Sequence, residues 1–238
     1  MTIETRAPQL GKTRRGFTLV EILVAVAILA ILSATLSPLV IKYINDGRRA
    51  RAASDARTLG QAILQFQVDT GLWPVSNDGN TNDAGELSRL VGLPAADISA
   101  ANIPNGSGAA PGSNNWDGGG NGGTAGAIED FLIFNADADT DPLYSTSTSP
   151  PEPPGWAGPY LKDVPQDPWG NPFVCNVRYL QNANVGGVTA AEVQQHAVFC
   201  LSAGPNGLFD TSFADGTELE SETGGDDIGF LIQGNQNR

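Results

Sequence analysis

Twenty-five residues from Phe17 to Ile41 are apolar apart from Thr18, Glu21, Ser33, Thr35, Ser37 and Pro38, and this run constrains the fold more than anything else in the chain. As a helix rising 1.5 Å per residue it measures about 37 Å, enough to cross a hydrocarbon layer of roughly 30 Å. Lys12, Arg14 and Arg15 lie just upstream and an acidic region follows, so the positive-inside rule sets the N-terminus in the cytoplasm and the bulk of the chain outside. The weaker cluster Arg48, Arg49 and Arg51 argues the other way. A secretory signal would use Ile22 to Leu32 as its apolar region and cut within "ILSAT". Neither that reading nor a plain anchor accounts for Glu21, since a carboxylate at the centre of a spanning helix costs roughly 2.5 to 3.5 kcal/mol.

The whole pattern is bases, then Gly16, Phe17, a carboxylate four residues on, and uninterrupted aliphatics: "RRGFTLVEILVAVAILAILSATLSPLV". From Arg14 to Pro38 it resembles the precursors of type IV pilins and type II secretion pseudopilins. The resemblance implies that a prepilin peptidase cuts between Gly16 and Phe17 at the cytoplasmic face and methylates the new amino group of Phe17. Glu21 then becomes the fifth residue of the mature chain and, in a helical homopolymer, meets a neighbouring subunit's amino terminus. Pairing makes such a carboxylate tolerable and fixes register. Pro38 lacks a backbone donor and crowds the preceding turn, so a kink or melted turn is expected near Ser33 to Ser37.

Beyond the apolar run the periodicity becomes one-sided, with Leu59, Ala62, Ile63 and Phe66 at i, i+3, i+4 and i+7. This is an amphipathic helix packed on a domain core. It is expected to close at "DTGLWP", where Gly71 can take a left-handed cap and Pro74 forbids continuation. The same segment resembles the end of the pseudopilin helix. Charge separates the ends of the chain: of 13 bases and 26 acids, only four bases but 22 acids follow Arg57. That balance repels phosphate backbones and excludes nucleic acid as a partner of the distal part.

Residues 72–155 are rich in turn formers, as in "SNDGNTNDAG", "NGSGAAPGSNNWDGGGNGGTAG" and "STSTSPPEPPG". They read as a loop-rich insert with two ordered pieces, Glu86 to Val91 and Ile128 to Phe134. The run Gly118 to Gly123 lacks the Gly-Lys-Ser/Thr of a phosphate loop. Asp137, Asp139 and Asp141 begin like an EF-hand, but Pro142 and Thr148 stand where that loop needs glycine and glutamate.

Downstream, "GPYLK" followed by "DPWGNP" resembles the major pseudopilin of type II secretion. Asp167 to Pro172 make a rigid turn, Trp169 is expected to plug the core, and strands are expected from Phe173, over "HAVFCLS" and over "DIGFLIQ". The expected fold is α+β and pilin-like: a long N-terminal helix packed on a small antiparallel sheet. Its parts are a leader (1–16), a transmembrane half-helix (17–41), an amphipathic half-helix (42–71), the insert (72–155) and the sheet domain (156–238). Between the last two strands, "SAGPNG" and "DDIG" resemble the calcium loop of the major pseudopilin. The resemblance implies calcium ligation by Asp226 and Asp227, by the carbonyls of Ala203 and Leu208, and by Asn206, which replaces the family's usual aspartate. Asparagine removes a negative charge, while the longer loop adds Asp210, Asp215, Glu218, Glu220 and Glu222.

Cys175 and Cys200 fall on two neighbouring expected strands on the non-cytoplasmic side. That setting favours a disulfide, the other reading being two buried thiols. His196 is the only histidine and reads as an ordinary strand residue; no nucleophile constellation is present. The resemblance covers residues 14–74 and 156–231. It implies a non-enzymatic subunit of a type II secretion pseudopilus, single-pass in the inner membrane before assembly, with minor pseudopilins and an inner-membrane assembly platform as partners. A pilin or minor pilin with an adhesive insert, and a membrane-tethered calcium-binding module that never polymerises, remain the alternatives.

Overall fold

The computed structural model describes residues 16–75, 87–106, 116, 124–135, 144, 155–180, 190–213 and 225–234. The chain divides into two units, Met1–Asp46 and Gly47–Arg238. Within the described residues the first is simple. It holds the opening of helix α1, which runs from Leu19 to Thr70 and whose residues up to Ala50 are all exposed.

Pro38 lies inside α1 without interrupting it, so the melted turn expected near Ser33 to Ser37 is not found. The reason is local. Thr35 Oγ1 donates to the carbonyls of Leu32 (3.0 Å) and Ile31 (3.3 Å), and Ser37 Oγ donates to that of Ser33 (2.9 Å). The carbonyl that Pro38 leaves without a backbone donor is that of Ala34; the hydroxyls add donors to the carbonyls just before it, one of the local adjustments by which apolar helices accommodate proline.

In the second unit α1 turns one stripe inward: Ala52, Ala56, Leu59, Gly60, Ala62, Ile63, Phe66 and Thr70 are buried. Small residues in the first turns let the sheet approach closely. Gly60 is the extreme case, because the ring of Phe230 occupies the space a Cβ would need. The Arg57 guanidinium lies 5.8 Å from the centre of the same ring. The helix closes as expected: Gly71 adopts φ 70° and donates to the Gln67 carbonyl (2.9 Å), while Thr70 Oγ1 donates to the Phe66 carbonyl (2.7 Å).

The sheet has five strands: β1 (Leu87–Val91), β2 (Thr124–Ala127), β3 (Val174–Cys175), β4 (Val198–Ser202) and β5 (Ile228–Gln233), in the order β2-β1-β3-β4-β5. A short helix α2 (Ala190–Gln195) precedes β4. The four strands β1, β3, β4 and β5 pair antiparallel, but β2 adds to β1 in parallel, so the sheet is mixed and not confined to residues 156–238. Its two outer strands on one side come from the insert. They are recruited because Leu87, Leu90 and Val91 bury completely and complete the core above Phe131 and Leu132. In register, Leu90 faces Cys175, Cys175 faces Cys200, and Cys200 faces Phe230, a row that crosses the sheet to the ring lying on Gly60.

The strand expected from Phe173 is only two residues long. Asn176 ends it: this fully buried amide donates to the carbonyls of Ala197 (3.0 Å) and Phe213 (2.9 Å) and accepts from the Phe199 amide (2.7 Å). Trp169 is half-buried and does not plug the core. That place is taken by Trp116 from the insert, which is fully buried.

Substituting Gly60 tests the helix-to-sheet approach. Alanine improves intrinsic helix stability by up to about 1 kcal/mol, whereas overpacking costs typically 1–3 kcal/mol. Gly60→Ala is expected to lower the melting temperature and Gly60→Ala/Phe230→Leu to restore it, as read by thermal denaturation monitored by circular dichroism.

Candidate functional site

Two regions carry candidate functional residues: the start of α1 and the loop between β4 and β5. Gly16 and Phe17 precede the helix, with nothing near Gly16 and Phe17 exposed at 79%. The bond between them lies outside the helix and is accessible. Lys12, Arg14 and Arg15 lie outside the described residues. Thr18 and Glu21 cap the helix reciprocally: Glu21 N donates to Thr18 Oγ1 (3.2 Å), and Thr18 N approaches Glu21 Oε2 (3.5 Å). This is a capping box, and the spacing Thr-x-x-Glu before an apolar run was its signal in the sequence. Glu21 thus has a local role in starting α1, and its carboxylate is held at the end of the helix nearest Phe17. Every large apolar side chain from Leu19 to Ile44 is exposed, and α1 is the one described helix long and apolar enough to span a membrane.

The second region is built by a turn and a loop leaning on each other. Asp167 Oδ1 accepts from the amides of Trp169 (3.0 Å) and Asn171 (2.8 Å), while Asp167 Oδ2 accepts from Ser202 Oγ (2.7 Å) at the end of β4. Ser202 Oγ in turn accepts from Gly204 N (3.1 Å). Gly204 adopts φ 65° with its Cα against the carbonyl of Asp226, a position no side chain fits, so the two halves of the loop meet backbone to backbone.

Here the structure gathers Asn206, Asp210, Asp226 and Asp227. Asn206 N donates to Asp226 Oδ2 (3.1 Å) and Asn206 Nδ2 to Asp210 Oδ2 (3.2 Å); Asp226 N also approaches Asp210 Oδ2 (3.4 Å). Leu208 N donates to Asn206 Oδ1 (2.6 Å). Asp227 Oδ2 accepts from the amides of Asp210 (3.0 Å) and Thr211 (2.7 Å). Ala203 is fully buried and Leu208 exposed. Asp210, an added acid in the sequence, is the hub that joins Asn206 to Asp226 and was not among the expected ligands. Asp215, Glu218, Glu220 and Glu222 lie outside the described residues, as do Asp137, Asp139, Asp141 and the run Gly118 to Gly123.

The side-chain oxygens gathered here, three carboxylates and one amide, are of the kind a hard cation takes. In the described arrangement the carboxylates face backbone N–H groups, and no three His, Cys, Asp or Glu side chains among the described residues converge as metal ligands. A cation would therefore take Asp210 and Asp226 oxygens from the N–H donors they now accept from.

Burial pushes the Asp227 carboxyl up to about 6, against the hydrogen bonds from Thr211 and with help from the nearby Asp210 charge. Because the folded chain then holds this proton more tightly than the unfolded one, the stabilisation is full below about pH 4 and is lost as pH rises through about 6. At 1.36 kcal/mol per pH unit the loss is at most about 3 kcal/mol. In chelator-treated buffer the native chain is expected to melt higher at pH 4.5 than at pH 7, and Asp227→Asn to flatten that slope; equal slopes in both would refute the assignment.

Cys175 and Cys200 face each other in register on β3 and β4, with Cα atoms 4.1 Å apart, and form a disulfide. His196 stacks beside Tyr179 (4.5 Å between ring centres) just ahead of β4, not within it.

Residues 11–37 match the family described as prokaryotic N-terminal methylation motif, and residues 139–188 match type II secretion system protein G. The type II secretion system core protein G of Klebsiella pneumoniae is 31% identical over 93 residues, covering 39% of this chain and 61% of that protein. The protein of the same name from Escherichia coli K12 is 24% identical over 199 residues, covering 83% and 86%. A fimbrial protein, EcpC of Eikenella corrodens, is 31% identical over 68 residues, covering 29% and 44%. The chain spans only 61% and 57% of the Klebsiella and Pectobacterium relatives that it matches at 31% and 30% identity. No solved structure matches significantly.

A capped apolar helix that continues into an amphipathic half against a small sheet is a pilin-like fold, and the head of that helix is similar to the N-terminal methylation motif. Within that likeness it is similar to the pseudopilins of the type II secretion system: its distal segment matches the protein G family, and the Klebsiella, Pseudomonas and Escherichia relatives carry that name.

Proposed function

We propose that the chain is a structural, non-enzymatic subunit of a type II secretion pseudopilus. The observation that carries this reading is the start of α1: an accessible Gly16–Phe17 bond, a capped Glu21, and an apolar helix bare on every face. The precursor sits in the inner membrane with its N-terminus cytoplasmic and its sheet domain periplasmic. Prepilin peptidase removes residues 1–16 and methylates Phe17. The freed amino terminus then lies within a turn of Glu21, and stacking of copies brings one subunit's carboxylate to another's amino group. The same aliphatic surface that lipid covers in the precursor is covered by neighbouring helices in the filament. Minor pseudopilins and an inner-membrane assembly platform are the partners such a filament needs.

Glu21→Ala separates this reading from a tethered module that never polymerises. Membrane insertion and cleavage are expected to persist while filaments, viewed by negative-stain electron microscopy, are lost. Normal filaments in the variant would sink the register argument. Glu21→Gln keeps hydrogen-bonding capacity for the cap but not the charge, and is expected to assemble no better than alanine.

The acidic loop is proposed as a calcium site, with Asp210, Asp226, Asp227, Asn206 and the carbonyls of Ala203 and Leu208 as donors. Bound calcium would neutralise Asp227 and tie the loop to the DPWGN turn that Asp167 and Ser202 already join to it. Saturating calcium is expected to raise the melting temperature by several degrees more than magnesium does, since magnesium resists the irregular, many-oxygen geometry. Equal shifts from the two cations would remove calcium from the account.

The fimbrial relative favours a second reading, a pilin with an exposed binding surface on the insert, but its match spans 29% of this chain. Similarity to protein G reaches the distal domain as well, which is why the pseudopilus reading is preferred.

A further inference from the structure

The stretch from Leu87 to Trp116 lies outside both family matches, yet two described pieces of it grip the acidic loop. Trp116 is fully buried. Its indole N–H donates to the Thr211 carbonyl (2.8 Å), and its own carbonyl accepts from Arg89 Nη1 (3.1 Å) on β1. Its ring lies 4.7 Å from that of Phe209 and 5.1 Å from that of Phe213, the latter edge-on. The Arg89 guanidinium stands 5.8 Å over Phe213. Eleven residues or so upstream, the Asn105 carbonyl accepts from Phe209 N (2.9 Å) and Gly106 bridges to Phe209 in parallel.

The segment Phe209 to Phe213 is therefore held from two sides. Thr211 is the pivot: its carbonyl is bound to Trp116, and its amide is bound to Asp227. A tryptophan buries more surface than any other side chain and adds directional contacts to neighbouring rings. Losing it would remove the ring that packs on both Phe209 and Phe213 and the indole donor to the Thr211 carbonyl. We propose that Asn105–Gly106 and Trp116 form a brace that positions the acidic loop, so that these residues and Phe209 to Phe213 order as one unit. Trp116 is a positioning residue in this arrangement: it acts on Asp227 through Thr211. Coupling of this kind is reciprocal, so whatever orders the loop also orders the brace.

Hydrogen exchange read by mass spectrometry on the full chain in detergent micelles tests this. Trp116→Ala is expected to speed exchange over residues 209–213 at least tenfold, with α1 unchanged. Trp116→Phe keeps a ring against Phe209 and Phe213 but loses the bond to Thr211, and is expected to give a smaller acceleration confined to the same residues. It decides the matter if the alanine variant fails to fold. Unchanged exchange over 209–213 in Trp116→Phe, or an acceleration spread equally over β4 and β5, would overturn the brace. A calcium arm rests on the reading of the loop as a calcium site: calcium is expected to slow exchange at 209–213 and at 100–106 together. If calcium does nothing while the variants behave as stated, the calcium reading falls and the brace stands. If calcium slows only 209–213, the reciprocal coupling, and with it the brace, falls.

Discussion

The first half of α1 carries large aliphatic side chains on every face, and no described residue covers them. At ~25 cal/mol for each Å² left in water, such a surface demands an outside partner. Lipid and a bundle of identical helices are the two partners that suit an all-round apolar rod. Glu21 distinguishes them. In the isolated chain it closes the N-terminal turn by exchanging hydrogen bonds with Thr18, which lets the helix begin cleanly two residues after Phe17. On the proposed reading, a carboxylate so placed lies near the membrane edge in the precursor, where its cost is modest, and beside a new positive charge after cleavage, where it gains a partner.

The distal domain answers a different need, to hold a small sheet against one stripe of α1 with few residues to spare. Gly60 and the nearby alanines bring Phe230 onto the helix, and the row Leu90, Cys175, Cys200 and Phe230 carries that contact across the sheet. Downstream, the DPWGN turn and the acidic loop share Ser202 as a joint. The loop concentrates acids where backbone amides are abundant, so that Asp227 tolerates burial with two N–H donors while its acidity is still weakened. The insert, which by composition is mostly turn formers, contributes β1, β2 and Trp116 to the same body.

Much of this was legible in the sequence because it is local. The change from all-round to one-sided apolarity marked both halves of α1, Gly71 and Pro74 marked its end, and the strands β4 and β5 stood out as apolar runs between turn residues. What escaped was non-local or chemically quiet. Strand β2 reads "TAGA", with a single β-branched residue, and pairs only because β1 offers a buried edge. Trp169, in a motif, was expected to fill the core; Trp116, alone among glycines and asparagines, fills it through partners about ninety-five residues away. Asn176 ends β3 by bonds to β4 and to Phe213 that no window of neighbouring residues reveals. The Thr18–Glu21 cap is legible as Thr-x-x-Glu ahead of an apolar run. Pro38 misled for a physical reason: the hydroxyls of Thr35 and Ser37 fold back beside it.

One segment as membrane anchor first and filament core afterwards is the central claim, and the chain end that cleavage creates tests it most directly. Intact-mass and N-terminal sequence measurement on the chain co-expressed with a prepilin peptidase should find a mature protein that begins at Phe17 with one methyl group on its amine. A chain that keeps residues 1–16, or that is cut within "ILSAT", would contradict the account, because Glu21 would then never meet a free amino terminus.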